Sequence, residues 1–114
     1  MVDTLSPTEV VELLAKLDVD VVDVRDEQEW VAGHLENSRL IPLDTLRADA
    51  EALLRHKPIL FVCARGVRSL SAAKLAERLG YEQVYSLDGG LTAWKREGLN
   101  LARGSVSTLD TAAA

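Results

Sequence analysis

The only cysteine of the chain lies in the segment best suited to chemistry, Ile59-Leu60-Phe61-Val62-Cys63-Ala64-Arg65-Gly66-Val67-Arg68-Ser69. An apolar run ends at this cysteine, and a short loop with a glycine and two arginines follows it. A basic loop that precedes a helix lowers a thiol pKa from about 8.5 to a range of roughly 3.5–7.5, which gives a thiolate at neutral pH. The segment therefore predicts a nucleophilic cysteine that forms a covalent intermediate.

The loop after the cysteine predicts an anion site around the sulfur. Its backbone N–H groups can turn toward whatever the sulfur carries, and the dipole of the following helix adds about half a positive charge. Gly66 permits the unusual backbone angles that such a cradle needs. The predicted substrate-binding residues follow Cys63 directly and are Ala64, Arg65, Gly66, Val67, Arg68 and Ser69.

Two alternatives remain open for these residues. A lone cysteine after an apolar strand is often a small buried hydrophobic residue. Arg65 and Arg68 could be solvated surface charges, as most arginines are. A core cysteine, however, has no need of a basic, glycine-containing loop, so the chemical interpretation is favoured.

The elements that must position the loop are those of an α/β domain with a mainly parallel sheet, because short β-branched runs alternate with helical patterns. The most apolar strand should be central, and Cys63 would stand at its carboxyl end, where open α/β sheets bind ligands. Ser6-Pro7-Thr8-Glu9 predicts the start of the first helix. The strands are predicted over 19–24, 39–41, 58–62 and 83–87, and the helices over 7–17, 26–30, 46–54, 69–79 and 91–97.

Length and composition exclude several classes of protein. The 114 residues include 13 Lys and Arg against 18 Asp and Glu, a net charge of −5 that argues against a nucleic-acid partner. The longest apolar run has six residues, far short of the roughly 20 that span a bilayer. One cysteine and two histidines form neither a disulfide nor a Cys/His zinc site. No metal, organic cofactor or membrane contact is expected, and the absence of a signal-peptide pattern favours the cytoplasm.

The charge is unevenly distributed, and the domain has a predicted boundary near its end. The segment 55–78 contains six basic residues and one acidic residue, a local charge of +5, and this segment includes the cysteine.

Residues 1–102 are predicted to form a single domain. Residues 103–114, which are rich in Ala, Ser and Thr, are predicted to form a mobile C-terminal tail.

Four segments, in this order and spacing, resemble a single-domain rhodanese, a thiosulfate sulfurtransferase. They are Asp23-Val24-Arg25 with Glu29-Trp30, Gly33-His34-Leu35 to Ile41-Pro42, Cys63 to Ser69, and Val84-Tyr85-Ser86-Leu87-Asp88-Gly89-Gly90 to Trp94. Ser38 and Leu35 depart from the alanine and isoleucine that are common in the family. The resemblance implies a rhodanese-like α/β fold, with a central sheet of four to five strands flanked by helices on both faces.

The resemblance also implies a reaction in which Cys63 carries sulfur as a persulfide. Cys63 would take the outer sulfur of thiosulfate, or of a similar donor, and pass it to cyanide or to a thiol. The alternative is a persulfide relay or docking module that receives sulfur from one protein and hands it to another. An exposed apolar patch beside the loop would favour the relay, and an open basic pocket would favour the enzyme.

The length of the loop bears on a second reaction, phosphatase chemistry, which enzymes of related fold catalyse. Related dual-specificity phosphatases place an arginine six positions after the cysteine, which widens the cradle for a phosphate. Here Arg68 follows Cys63 by five positions. The shorter loop resembles that of the sulfurtransferases.

The remaining polar candidates are interpreted as mainly structural. Asp23 and Arg25 end a strand at the same sheet edge as Cys63 and could form a buried pair, although a role in shaping the site is possible. His34 is expected to order the loop from Gly33 to Pro42. His56 is expected to be exposed, and both tryptophans are expected in the core.

Overall fold

The computed structural model describes residues 2–104, and within them a wholly parallel five-stranded sheet forms the centre of the fold. The strand order is β1-β5-β4-β2-β3. This confirms the predicted α/β class and the central position of β4. The strands are β1 (Asp3–Leu5), β2 (Asp20–Asp23), β3 (Arg39–Leu40), β4 (Ile59–Val62) and β5 (Val84–Leu87).

Within the described residues four helices connect the strands and a fifth follows β5, and local capping explains where two of the helices begin. The side chain of Ser6 accepts a hydrogen bond from the Glu9 N–H while Glu9 bonds back to Ser6, and Asp26 and Glu29 repeat this capping box. None of these helices is long and apolar enough to cross a bilayer. The helices are α1 (Pro7–Lys16), α2 (Glu27–Ala32), α3 (Leu43–Leu53), α4 (Val67–Arg78) and α5 (Gly90–Arg96).

Helices cover both faces of the sheet, as predicted. Buried residues of α3 and α4 pack with Phe61 on one face, and those of α1 and α5 pack with Leu60 and Val62 on the other. All four residues of β4 are completely buried. This explains why β4 is an uninterrupted apolar run, since a strand covered on both faces has no side that favours polar residues.

The structure differs from the sequence-based prediction at one strand and at several helix bounds; α3, for example, begins at Leu43 rather than at residue 46. The edge strand β1 was not predicted, because three largely exposed residues carry no alternating pattern. Helix α4 begins at Val67 rather than Ser69, since Gly66 occupies the left-handed region at φ 95° and the helix starts directly after it. Ala102 pairs with His34 in an antiparallel bridge. The predicted tail falls almost entirely on residues 105–114, which lie outside the described residues.

Candidate active site

Cys63 lies where the central strand meets the loop that leads to α4. It follows the last residue of β4 directly and is almost completely buried. The chain then turns at Gly66, where φ is 95°. A Cβ at this position would lie 3.2 Å from the backbone nitrogen of Gly89, so both the backbone angle and the space favour glycine.

The sulfur of Cys63 is surrounded by hydrogen-bond donors. The backbone N–H of Gly66 donates to Sγ at 3.0 Å and that of Ser69 at 3.3 Å. The hydroxyl oxygen of Ser69 lies 3.4 Å from the same sulfur. The predicted inward rotation of the loop amides is therefore present around Sγ.

These donors change the acidity of the thiol. Burial alone would raise the pKa of Cys63, since it penalises the charged form. The hydroxyl of Ser69 and the backbone N–H groups of Ser69, Arg65 and Gly66 oppose that effect, and the net result is a lowered pKa. The site is thus arranged to stabilise a thiolate, the nucleophilic form of cysteine.

The turn between β5 and α5 holds the outer side of the loop. The N–H of Leu91 donates to the carbonyl of Cys63 at 2.9 Å, and that of Thr92 donates to the carbonyl of Ala64 at 3.0 Å. With its carbonyls bound on this side, the loop can present its N–H groups to the sulfur. Gly90 makes the contact possible, because a Cβ there would lie 2.5 Å from atoms of Ala64 and Arg65.

Sequence reasoning missed this role of the glycine pair. In the sequence, Gly89 and Gly90 were singled out only as part of the segment from Val84 to Trp94 that resembles the family. The sequence signal for this role is the position of the two glycines just after β5, the strand beside the central strand β4. There, adjacent glycines indicate a close approach of two backbones.

Arg68 does not stand free beside the sulfur. Its guanidinium donates to both carboxylate oxygens of Glu29, at 2.9 and 3.0 Å. This bond is the main cause that lowers the pKa of Glu29 to about 2, and the same pair raises the pKa of Arg68. Glu29 is a neighbour of the site that sequence reasoning did not assign. The ion pair leaves the positive charge of Arg68 largely compensated.

The other loop residues face outward to different degrees. The side chains of Arg65 and Val67 are exposed, Val67 by 75%, and Ala64 is half-buried. Arg65 and Val67 border a shallow groove of about 300 Å³, together with Lys74 and Asp88. Of the predicted binding residues, Gly66 and Ser69 therefore contact Sγ most directly.

Asp23 and Arg25 form the buried pair that the sequence suggested. The guanidinium of Arg25 bonds both oxygens of Asp23 at 2.9–3.1 Å and donates to the carbonyl of Gly33. His34 stacks on Trp30, and its Nδ1 lies 2.7 Å from the Trp30 carbonyl. These contacts attach the segment after α2 to the end of β2, in agreement with a structural role.

The expectations for the two tryptophans and for His56 also hold. Both tryptophans are buried, and His56 is exposed and stacks on Tyr81. Ser38, a departure from the family pattern, accepts a hydrogen bond from Nε1 of Trp30 at 3.2 Å. In residues 2–104, no three Cys, His, Asp or Glu side chains come together as a metal site would require.

Comparison with known sequences identifies one family. The family pattern described as "Rhodanese-like domain" matches residues 6–97. The thiosulfate sulfurtransferase GlpE of Pseudoalteromonas translucida is 36% identical over 91 residues, which is 80% of this chain and 87% of that protein.

Two solved structures show the same fold at 28% sequence identity. The rhodanese-related protein of Thermoplasma volcanium superposes with a TM-score of 0.80, over 90% of this chain and 99% of that one. A protein of unknown function from Rhodopseudomonas palustris, described as a possible tyrosine phosphatase, superposes with a TM-score of 0.79, over 89% of this chain and 85% of that one.

Proposed function

The chain belongs to the rhodanese-like domain family, and from this premise we propose that it is a sulfurtransferase that carries sulfur on Cys63. The proposed donor is thiosulfate or a similar small anion, and the proposed acceptor is cyanide or a thiol. The thiolate attacks the outer sulfur of thiosulfate, the S–S bond of thiosulfate breaks, and sulfite leaves with the bonding electron pair. The product on the enzyme is a Cys63 persulfide.

The second half of the reaction regenerates the thiolate. A nucleophile such as cyanide attacks the outer sulfur of the persulfide, the new S–S bond breaks, and its electron pair returns to Cys63. Thiocyanate leaves, and the enzyme is restored without net oxidation or reduction. Apart from the sulfur donor and the acceptor, no step in this cycle needs a chemical group that the chain does not supply.

The observation that carries the proposal is the convergence of the donors of Gly66 and Ser69 on one sulfur. Donors that stabilise a thiolate also stabilise a persulfide, because both end in an anionic sulfur. The positive end of α4 lies on the same side, with its first residue four positions after Cys63.

A protein-to-protein relay is less favoured by the surface around the loop. Val67 is the one large hydrophobic side chain of the loop that is exposed. The other exposed large hydrophobic residues within 2–104 are Val11 and Leu17 near α1 and Leu79 at the far end of α4. Because they are scattered singly, they do not form the contiguous apolar patch that marks a protein interface.

Phosphate-ester hydrolysis is the second candidate, since the similar protein of R. palustris is described as a possible tyrosine phosphatase. The loop argues against it here. The N–H groups of Gly66 and Ser69 already lie 3.0 and 3.3 Å from Sγ itself, within hydrogen-bond reach for a sulfur acceptor. A cradle closed on the sulfur suits one added sulfur atom better than a phosphoryl group.

The test compares sulfur loading with phosphate hydrolysis on one preparation. After incubation with thiosulfate, the intact protein should gain about 32 Da, one sulfur atom, and peptide mapping should place it on Cys63. Cys63→Ser is the matched control and should gain nothing. Thiocyanate should form on addition of cyanide, and an aryl phosphate should remain unhydrolysed. A folded protein that stays unmodified, or that hydrolyses the phosphate ester at a comparable rate, contradicts the proposal.

A further inference from the structure

Strand β5 contains a buried hydroxyl that the proposed reaction does not yet explain. Ser86 is 1% exposed and lies in the sheet beside Phe61 of β4. Its neighbour two residues earlier, Val84, packs in the apolar core on the α3 and α4 face. A hydroxyl in such a place is costly unless it has a hydrogen-bond partner.

The partner of Ser86 is the serine that contacts the catalytic sulfur. The hydroxyl oxygens of Ser86 and Ser69 lie 2.8 Å apart, and Ser69 is itself completely buried. The hydroxyl of Ser69 in turn lies 3.4 Å from Sγ of Cys63. The three side chains thus form a continuous hydrogen-bonded chain from the sheet to the sulfur.

The protonation state of the sulfur determines which group donates in each of these hydrogen bonds. A thiolate has no proton and can only accept, so the single hydroxyl proton of Ser69 must point to Sγ. The oxygen of Ser69 is then left as an acceptor, and Ser86 must be the donor. Donation from Ser86 polarises the hydroxyl of Ser69 and strengthens its bond to the anionic sulfur.

We infer that Ser86 is a positioning residue for Cys63, which acts by donating to Ser69 and so directing the hydroxyl of Ser69 to the sulfur. The inference deepens the proposed sulfur transfer and rests on it for its role in turnover. Its structural part, support of the thiolate, can be measured without any turnover. The two ideas can therefore fail independently.

The experiment follows the pH dependence of Cys63 alkylation by iodoacetamide. In Ser86→Ala the alkylation profile should move to higher pH, with a rate at pH 7 about two- to fivefold below wild type, because less thiolate is present. Ser86→Thr keeps a hydroxyl and should restore the wild-type profile. Ser71→Ala, on the exposed side of α4, is the matched control and should change nothing. A purely structural role for Ser86 would lower thermal stability and leave the profile in place.

A double substitution tests whether the effect passes through Ser69. Once Ser69→Ala has removed the middle hydroxyl, adding Ser86→Ala should cause no further shift. Should Ser86→Ala not fold, Ser86→Cys keeps the volume with a weaker donor, and alkylation is then read at Cys63 by peptide mass. A profile identical to wild type in a folded Ser86→Ala or Ser86→Cys variant overturns the inference. So does an equal shift in the Ser69→Ala background.

The same variants separate this inference from the proposed function. If thiosulfate fails to load sulfur while Ser86→Ala still shifts the alkylation profile, sulfur transfer is wrong and the positioning role stands. If sulfur loads normally while the profile stays unchanged, the positioning role is wrong and sulfur transfer stands.

Discussion

The ion pair between Arg68 and Glu29 determines what Arg68 contributes to substrate binding. Both terminal nitrogens of the guanidinium are bound to the carboxylate of Glu29. The negative charge of a Cys63 thiolate also contributes to the raised pKa of Arg68, which lies in the segment that follows the cysteine. We therefore expect Arg68 to neutralise Glu29 rather than to hold the thiosulfate dianion by itself. Arg68→Ala should then harm binding mainly because it leaves a lone carboxylate beside the site.

The magnitude follows from the pKa of Glu29, which is about 2 instead of 4.5. A difference of this size corresponds to roughly 3 kcal/mol, most of it from Arg68, with smaller contributions from the backbone N–H of Asp26 and the charge of Arg25. The side chains of Arg68 and Glu29 are 39% and 31% exposed, so screening by water reduces the coupling to about 1–2 kcal/mol. Repulsion of thiosulfate by the lone carboxylate, in the same setting, should be on the order of 1 kcal/mol, or a roughly fivefold higher KM.

The assay is thiocyanate production at low ionic strength for a double-mutant cycle. Arg68→Ala should raise KM about fivefold, and Glu29→Gln/Arg68→Ala should return to within about twofold of wild type. The rise should shrink as salt is added, since the repulsion is screened. Arg65→Ala, which removes an exposed charge, is the control and should gain no relief from Glu29→Gln. A double variant as poor as Arg68→Ala would refute the reasoning and show that Arg68 binds the dianion directly.

Three further predictions concern the surroundings of the loop. The folded pKa of Glu29 lies below its unfolded value, so its contribution to stability is present above pH 4.5 and lost as pH falls toward 2. The free energies of unfolding of wild type and Glu29→Gln, measured by urea titration, should therefore converge over that pH range. A constant difference between the two free energies would contradict this. Gly90→Ala should abolish thiosulfate turnover and lower stability by several kcal/mol, because its Cβ meets the loop backbone at 2.5 Å. Gly98→Ala, at φ +77° with open space around it, should cost only about 1–2 kcal/mol and keep activity; equal activity in both variants would show that the contact of Gly90 is unimportant. Asp23→Asn should destabilise the fold by about 3–5 kcal/mol in thermal or urea unfolding, because it leaves Arg25 buried without its counter-charge, and a wild-type Tm would argue against that pairing.

Much of the fold could be predicted from sequence because it depends on contacts between residues near in the chain. The starts of α1 and α2 are fixed by capping boxes that join residues three apart, and their residue types alone identify them. The central place of β4 follows from its uninterrupted apolar run. The edge strand β1 could not be found in this way, because its pairing with β5 joins segments about 80 residues apart and its side chains are mostly exposed.

The candidate site likewise has a part that the local sequence predicts and a part that it does not. Cys63, the loop after it and the following helix are contiguous in the chain, so residue types and spacing indicate a nucleophile in an anion cradle. The partners that complete the site come from elsewhere in the chain: Glu29 is 39 positions from Arg68, and Ser86 is 17 positions from Ser69. The local sequence pattern does not indicate which distant residues will contact Arg68 and Ser69.

The sequence by itself determined the α/β elements other than β1, the family resemblance and the cysteine at the end of the most apolar strand. The tertiary structure alone decided that Arg68 is neutralised by Glu29, that Gly90 lies against the loop after Cys63, and that two buried hydroxyls lead to Sγ. The reason is physical. Caps, turns and apolar periodicity are set by bonds within a few residues, whereas the charge and the donors around a reacting atom depend on which elements the packed sheet brings side by side.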